Sequence, residues 1–311
     1  MLKDYVKDYK FRKNLTVDEL IIQMGDAWGF TAGKLSSSVN ILERMIKEKD
    51  CIKFLSFTAN LVATGTRGVF KELVKRKMVD LVITTCGTLD HDIARCWKKY
   101  YKGSFRMDDS ELHKKGINRL GNVLVPNESY GMIIEKKVQD MLNDLWEEGI
   151  KELSTSQFCY EIGSRICNES SILFWAAKNK IPVFIPGITD GAVGYQTWLF
   201  SQDHNIKINL LQDSGDLNDI VFSAKKTGAL IVGGGIAKHH TIWWNQFREG
   251  LDYAVYLTTA EELDGSLSGA KPIEAISWGK INEKAKQIMV KGEATIILPL
   301  MISSLITRLN T

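Results

Sequence analysis

The chain has 311 residues, 44% hydrophobic and 25% charged, an ordinary globular balance with length enough for a large core. Its net charge of +3 comes without a basic block beyond short runs such as Lys75-Arg76-Lys77, which argues against a nucleic-acid face. Five scattered cysteines (Cys51, Cys86, Cys96, Cys159 and Cys167) form no CxxC pair, so reduced thiols fit better than a disulfide framework or a zinc site.

The N-terminus is charged and lacks the apolar core of a secretory signal. The longest apolar stretch, 294–309, is interrupted by Pro299 and is shorter than the ~20 residues of a membrane span. It reads as a buried strand followed by a packed helix. A soluble, cytoplasmic protein without membrane, nucleic acid or metal is expected.

Residues 1–35 read as a polar, helix-leaning arm, with Thr16 or Asp18 as a cap before Glu19-Leu20-Ile21-Ile22. The glycine-containing segment 29–35 breaks it. From Ser38, the residues Val39, Ile41, Leu42, Met45 and Ile46 share one helical face. Strands are then predicted at 52–57 and 81–84, with helices at 67–77 and 90–99. Residues 100–128 read as a long loop excursion ending at Pro126-Asn127. Helices follow at 132–146, 170–179, 192–201, 217–226, 241–248 and 271–284. The intervening strands fall at 182–185, 208–211, 229–232, 253–257 and 295–298. This alternation predicts an α/β fold, a Rossmann-like, mostly parallel sheet with helices on both faces plus the N-terminal helical extension. No repeat or composition break divides residues 36–311, which are expected to form a single domain.

In such sheets ligands gather at the carboxyl ends of the strands. Four loops there carry chemistry: Thr58-Ala59-Asn60, the run from Thr84 to Asp92, the run from Pro186 to Ala192, and Gly233-Gly234-Gly235-Ile236-Ala237-Lys238-His239-His240. The triple glycine allows close approach of backbone to a phosphate or ring, and equally suits a structural turn. It matches neither GxGxxG nor GxxxxGK[ST]. A histidine just after such a loop is a candidate general base, although a lone histidine is more often a structural hydrogen-bonder. The Asp190-Gly191 pair is a common turn, and near a nucleotide its aspartate can accept from ribose hydroxyls.

A last stretch, DGSLSGAKPIEAISWGK from Asp264 to Lys280, holds two acids, three serines and three glycines before its final lysine. Lys280 stands beside Trp278 on a glycine-thinned backbone. Such surroundings can desolvate an amine and make it a nucleophile toward carbon or an imine. The same text also reads as a surface turn and an ordinary helix.

Taken together, FTANLVATG, VITTCGTLDHD, KKGINRLGNVLVPNE, PVFIPGITDG, IVGGGIAKHH, DYAVYLTTAEELDGSLSG and EAISWGKI resemble the deoxyhypusine synthase family over roughly residues 15–300. The resemblance implies an NAD-dependent transferase. It would oxidise spermidine, hold the aminobutyl group as an imine on a lysine, and pass it to one lysine of the initiation factor 5A precursor. Lys280 would be that nucleophile, and His239 would assist proton transfer. Asp90, Tyr256, Glu274 and Trp278 would bind the amine. Asn60, Thr85, Asp190, Gly234, Thr259, Ala260, Asp264, Ser268 and Glu293 would hold NAD in the 36–311 catalytic domain. Glu293 stands where the family often has aspartate. The resemblance further implies a homotetramer with active sites at dimer interfaces, and an N-terminal arm able to cover a neighbour's pocket.

Three departures bear on the substrate. His91, Tyr195 and Leu267 stand where carboxylates facing the amines of spermidine are expected. Each desolvated ammonium needs an acidic or carbonyl partner. The same chemistry with agmatine as donor, or with putrescine as acceptor to give homospermidine, is the alternative. A non-catalytic NAD-binding member is a third reading, and the presence of Lys280 and His239 argues against it.

Overall fold

A computed structural model describes residues 4–310. Residues 1–3 of the expected arm and Thr311 of the expected domain lie outside the described residues. The chain forms two compact units, one reaching up to Phe57 and including 78–80 and the residues from Leu217 on, the other comprising 58–77 and 81–216.

The first unit is built on parallel strands. Lys226–Val232 pairs with Cys51–Phe57 on one side and with Leu251–Thr258 on the other, and Leu251–Thr258 pairs in turn with Ile281–Lys291. Ala229, Leu230, Ile231 and Val232 are all buried, the continuous apolar run of a parallel strand covered on both faces. Gly228 is needed there because a Cβ would collide with the Met45 side chain and with Cβ of Tyr253.

Two N-terminal helices, Val17–Ala27 and Ala32–Lys47, belong to this unit. Thr16 caps the first by accepting from the Glu19 amide, while Glu19 accepts from the Thr16 amide, a reciprocal capping box. Asp18, the other candidate cap, instead accepts from Ser304 at 2.7 Å and Arg308 at 2.6 Å. The glycine-containing break is a tight corner with positive φ at Trp28, Gly29 and Phe30, and the second helix already starts at Ala32.

Two sequence expectations fail in this unit. Residues 271–284 are not a helix. Pro272–Ile276 is a short 3-10 turn, and Ile281–Lys291 is the strand at the end of the parallel set. Its Glu, Lys, Ala and Gln residues favour a helix, but pairing with Leu251–Thr258 overrides that preference. Residues 295–298 are not a strand, since Ala294–Leu309 is one helix containing Pro299. Glu293 caps it by accepting from the Thr295 and Ile296 amides, and Leu298, Met301, Ile302 and Leu305 form its buried stripe.

In the second unit, Leu81–Ile83 pairs in parallel with Val183–Phe184, and Glu152–Leu153 with Lys207–Ile208. Helices surround them, including Cys86–Trp97, Gly131–Glu147, Thr155–Arg165, Ile172–Asn179 and Ala192–Asp203. The strand expected at 208–211 stops at Ile208, and a helix begins at Leu210. The excursion 100–128 is not a loop. Tyr101–Lys102, Val123–Pro126 and Ile117–Leu120 form a small antiparallel sheet, with Gly121 at φ 61° in a Gly-Asn hairpin turn. Asp92 is fully buried yet satisfied: it accepts from Arg67 at 2.7 Å, the Ser171 hydroxyl at 2.6 Å, and the amides of Ile172 and Leu173. Among the described residues, no helix is long and apolar enough to cross a membrane.

Candidate active site

The carboxyl ends of three adjacent parallel strands set the site in the first unit. Val232 lies beside Leu257, and Thr258 beside Lys291. Gly234, Thr259 with Ala260, and Glu293 therefore follow the last paired residues of three neighbouring strands. The triple glycine earns its composition. Gly233 and Gly235 have φ of 90° and 63°, and a Cβ on Gly234 would collide with the Ser268 side chain. The Gly235 amide donates to Ser268 Oγ at 3.2 Å, which joins the loop to the 264–270 segment. The Cβ direction of Gly235 itself is open. Asp264 is exposed on the same segment and accepts from the Ser266 amide at 2.7 Å; hydrogen bonding to the Ser266 hydroxyl first and to its amide second lowers the carboxyl from its ordinary value.

Beside this edge lies a cavity of about 270 Å³ whose walls include Ile242, Tyr256, Leu267, Glu274, Trp278 and Lys280. Lys280 is anchored through its backbone. Its amide donates to Ala275 and its carbonyl accepts from Leu251, while its Nζ stands 5.1 Å from the centre of the Trp278 ring. Tyr256 is only 1% exposed, and its hydroxyl has no partner among the described residues. Burial pushes its phenol well above the ordinary value. His239 sits on the exposed side of the Gly235–Asn245 helix. Its basicity is lowered first by desolvation and then by the positive charge of Lys280, which places the two side chains within electrostatic reach.

Lys238 was missed in the sequence. It is 1% exposed and donates to the carbonyls of Leu267 at 2.6 Å and Ala270 at 2.9 Å. Its ammonium lies 4.3 Å from the Tyr256 ring centre. Burial lowers it to about 8, with the Glu274 carboxylate opposing the shift. The signal was its place on the apolar face of a helix, beside Ala237, Thr241 and Ile242.

The remaining candidates lie in the second unit. Asp90 is buried and accepts from the amides of Ala192 at 2.9 Å and Val193 at 2.8 Å and from the Tyr130 hydroxyl at 2.7 Å. It thereby holds the start of the Ala192–Asp203 helix. Desolvation raises its carboxyl, and these bonds oppose the rise. A Cβ on Gly191 would collide with Cys86 and Asp90. His91 Nδ1 is 2.9 Å from the Tyr100 hydroxyl. Burial, with Arg95 adding to it, lowers its basicity from 6.5 to about 4, so it is a neutral ring at physiological pH. Asn60 is exposed and Thr85 half-buried, both close after the end of a strand, and Asp190 is exposed in the turn that leads into the Ala192–Asp203 helix. Tyr195 is exposed next to Trp198.

The family model for deoxyhypusine synthase matches residues 19–305. The chain belongs to the deoxyhypusine synthase family. It is thus a member of a family of transferases. A protein named "Probable deoxyhypusine synthase" from Picrophilus torridus is 55% identical, with 97% of both chains covered. One of the same name from Sulfurisphaera tokodaii is 51% identical, over 94% of this chain and 96% of that one. Among solved structures, a candidate deoxyhypusine synthase from Entamoeba histolytica superposes with TM-score 0.65 at 22% identity, covering 96% of each chain. Unliganded AgrE shares the fold at TM-score 0.57 and 12% identity, over 92% of this chain and 34% of that one.

Proposed function

We propose that this protein transfers the aminobutyl group of spermidine to a lysine of the initiation factor 5A precursor, with NAD as cofactor and Lys280 as the covalent carrier. The observation that carries the reading is the convergence of Lys280, Trp278, Glu274 and Tyr256 on one cavity. Bound NAD would accept hydride from the carbon next to the secondary amine and later return it. The residues of the chain do the rest. Neutral His239 takes the proton released as the amine becomes an imine. Lys280 Nζ attacks that imine carbon, and its C–N bond to the departing 1,3-diaminopropane breaks, leaving the aminobutyl imine on Lys280. The factor's lysine then displaces Lys280, and reduction of the new imine completes the transfer. Glu274 supplies the counter-charge for an ammonium, the Tyr256 hydroxyl a free hydrogen-bonding group, and Trp278 an aromatic face.

The strand-end residues fit such a cofactor. Gly234, Thr259, Ala260, Asp264, Ser268 and Glu293 offer a glycine loop at a strand end, backbone amides and two carboxylates of the kind that accept from ribose hydroxyls. Asn60, Thr85 and Asp190 are likewise proposed as NAD contacts, and Asp90 as an amine contact. The 36–311 stretch is assigned as the catalytic domain and residues 1–35 as an arm covering a neighbour's pocket. A cytoplasmic homotetramer with active sites at dimer interfaces is the proposed assembly. Exposed Trp278 in the cavity wall, with exposed Leu263 and Ile273 next in sequence to the wall residues Glu262 and Glu274, supports it, because exposed apolar groups favour a covering surface.

Leu267 in the cavity wall keeps a second reading open, with agmatine as donor or putrescine as acceptor giving homospermidine. Incubation with NAD and each amine, with and without the factor, followed by mass spectrometry, separates the two. Homospermidine without a mass shift on the factor would overturn the first reading. Lys280→Ala is expected to lose the reducible covalent intermediate while NAD still binds, and intact turnover in that variant would remove Lys280 from its role.

A further inference from the structure

We infer that Lys238 is a positioning residue that clamps the Leu267–Ala270 turn, and with it Ser268, onto the glycine loop and beside the amine cavity. The inference rests on the functional reading above for what that turn serves. Its geometry stands without it.

The turn is weakly held by itself. Its internal bonds, Gly269 amide to Ser266 and Ala270 amide to Leu267, are long at 3.2 and 3.3 Å. The shorter bonds come from Lys238 Nζ, to Leu267 at 2.6 Å and Ala270 at 2.9 Å. A buried ammonium donating to carbonyls is a charge-assisted bond, and removing it leaves oxygens without water. The turn carries Ser268, whose Oγ accepts from the Gly235 amide, and Leu267 and Ala270, which wall the cavity. Lys238 faces the Tyr256 ring as well, so one ammonium fixes both the turn and a cavity wall.

Lys238 does not itself line the cavity, whereas Tyr256, Leu267 and Ala270 do. Two of its donors are also committed to carbonyls. Both facts separate it from Lys280 and make its action indirect. Burial lowers its pKa to about 8, the mark of an ammonium taken out of water.

The test compares Lys238→Met, Lys238→Gln and Lys238→Arg with Ser304→Ala, which removes a buried hydroxyl in the C-terminal helix away from the turn. Hydrogen exchange of amides 262–271, the NAD dissociation constant and the amine KM are read in each. Lys238→Met is expected to speed exchange there by about tenfold over the rest of the chain, the order for a buried bond to a charged group left unmade. NAD affinity and amine KM should worsen by a similar factor, with kcat moving less. Lys238→Arg, which keeps charge and donors, should recover part of each loss. Ser304→Ala should leave all three at wild-type values. If Lys238→Met does not fold, Lys238→Gln, with a shorter pair of N–H donors, is read by the same criteria. Wild-type exchange at 262–271, or a rise spread evenly along the chain, overturns the clamp. The exchange readout needs no turnover. If Lys280→Ala stays active the functional reading fails, while the clamp is still decided by exchange.

Discussion

Replacing Tyr256 by phenylalanine should make the free protein more stable and the enzyme worse. The Tyr256 side chain is almost wholly buried, yet its hydroxyl finds no partner among the described residues. An unmade buried hydrogen bond costs about 1–3 kcal/mol, so deleting the oxygen should raise the unfolding free energy by roughly 1 kcal/mol. The ring stays, and with it the 4.3 Å contact to the Lys238 ammonium. In the ligand complex the sign reverses. A hydrogen bond to a charged amine is worth roughly 1.5–3 kcal/mol, which corresponds to about a 10- to 100-fold rise in amine KM. The assays are denaturant unfolding without ligand and initial rates against amine concentration. Lower stability with an unchanged KM would show that the hydroxyl is bonded within the protein, and the reasoning would fall.

Two other outcomes follow from the geometry. Gly234→Ala should weaken NAD binding by at least about tenfold in a binding titration, because its Cβ would meet both the side chain and the backbone Cα of Ser268, and wild-type affinity in that variant would contradict it. His91 ties stability to pH. Its folded value of about 4 lies below the ordinary 6.5, so the unfolded chain binds the extra proton between those values. The contribution is complete above pH 6.5 and is lost as pH falls toward 4, on the order of 3 kcal/mol. Asp90, whose carboxyl is raised, acts with the opposite sign in a window that starts at its ordinary value of 3.8. Thermal unfolding of His91→Gln from pH 7 to 4 should therefore show a flatter decline than wild type, and parallel curves would contradict it.

Much of the first unit was readable because local and tertiary signals agree there. The Thr16 capping box and the Ala229–Val232 run each point to one structure, and the strand-end rule located the glycine loop. What escaped detection were conflicts between levels. The 281–291 stretch carries helix-forming residues and becomes a strand only because Leu251–Thr258 offers it hydrogen bonds. The β-branched run after Glu293 reads as a strand until the carboxylate cap and the i, i+3, i+4, i+7 stripe are seen together. The Gly-Asn turn at 121–122 was a legible hairpin signal hidden among polar residues.

The lysines show where sequence reading reaches its limit. Trp278 beside Lys280 suggested the desolvated amine, and the structure does put Lys280 on the cavity wall. Burial lowers the basicity of Lys238, whose mark in the sequence is only its place beside Ala237, Thr241 and Ile242. Burial is a property of the packed chain, set here by a turn 29 residues further on, at Leu267. The two amines then divide the work by geometry. Lys238 commits two of its three donors to carbonyls, while Lys280 lines the cavity. Burial of a lysine therefore does not by itself mark a nucleophile, and access to the cavity is what distinguishes Lys280 from Lys238.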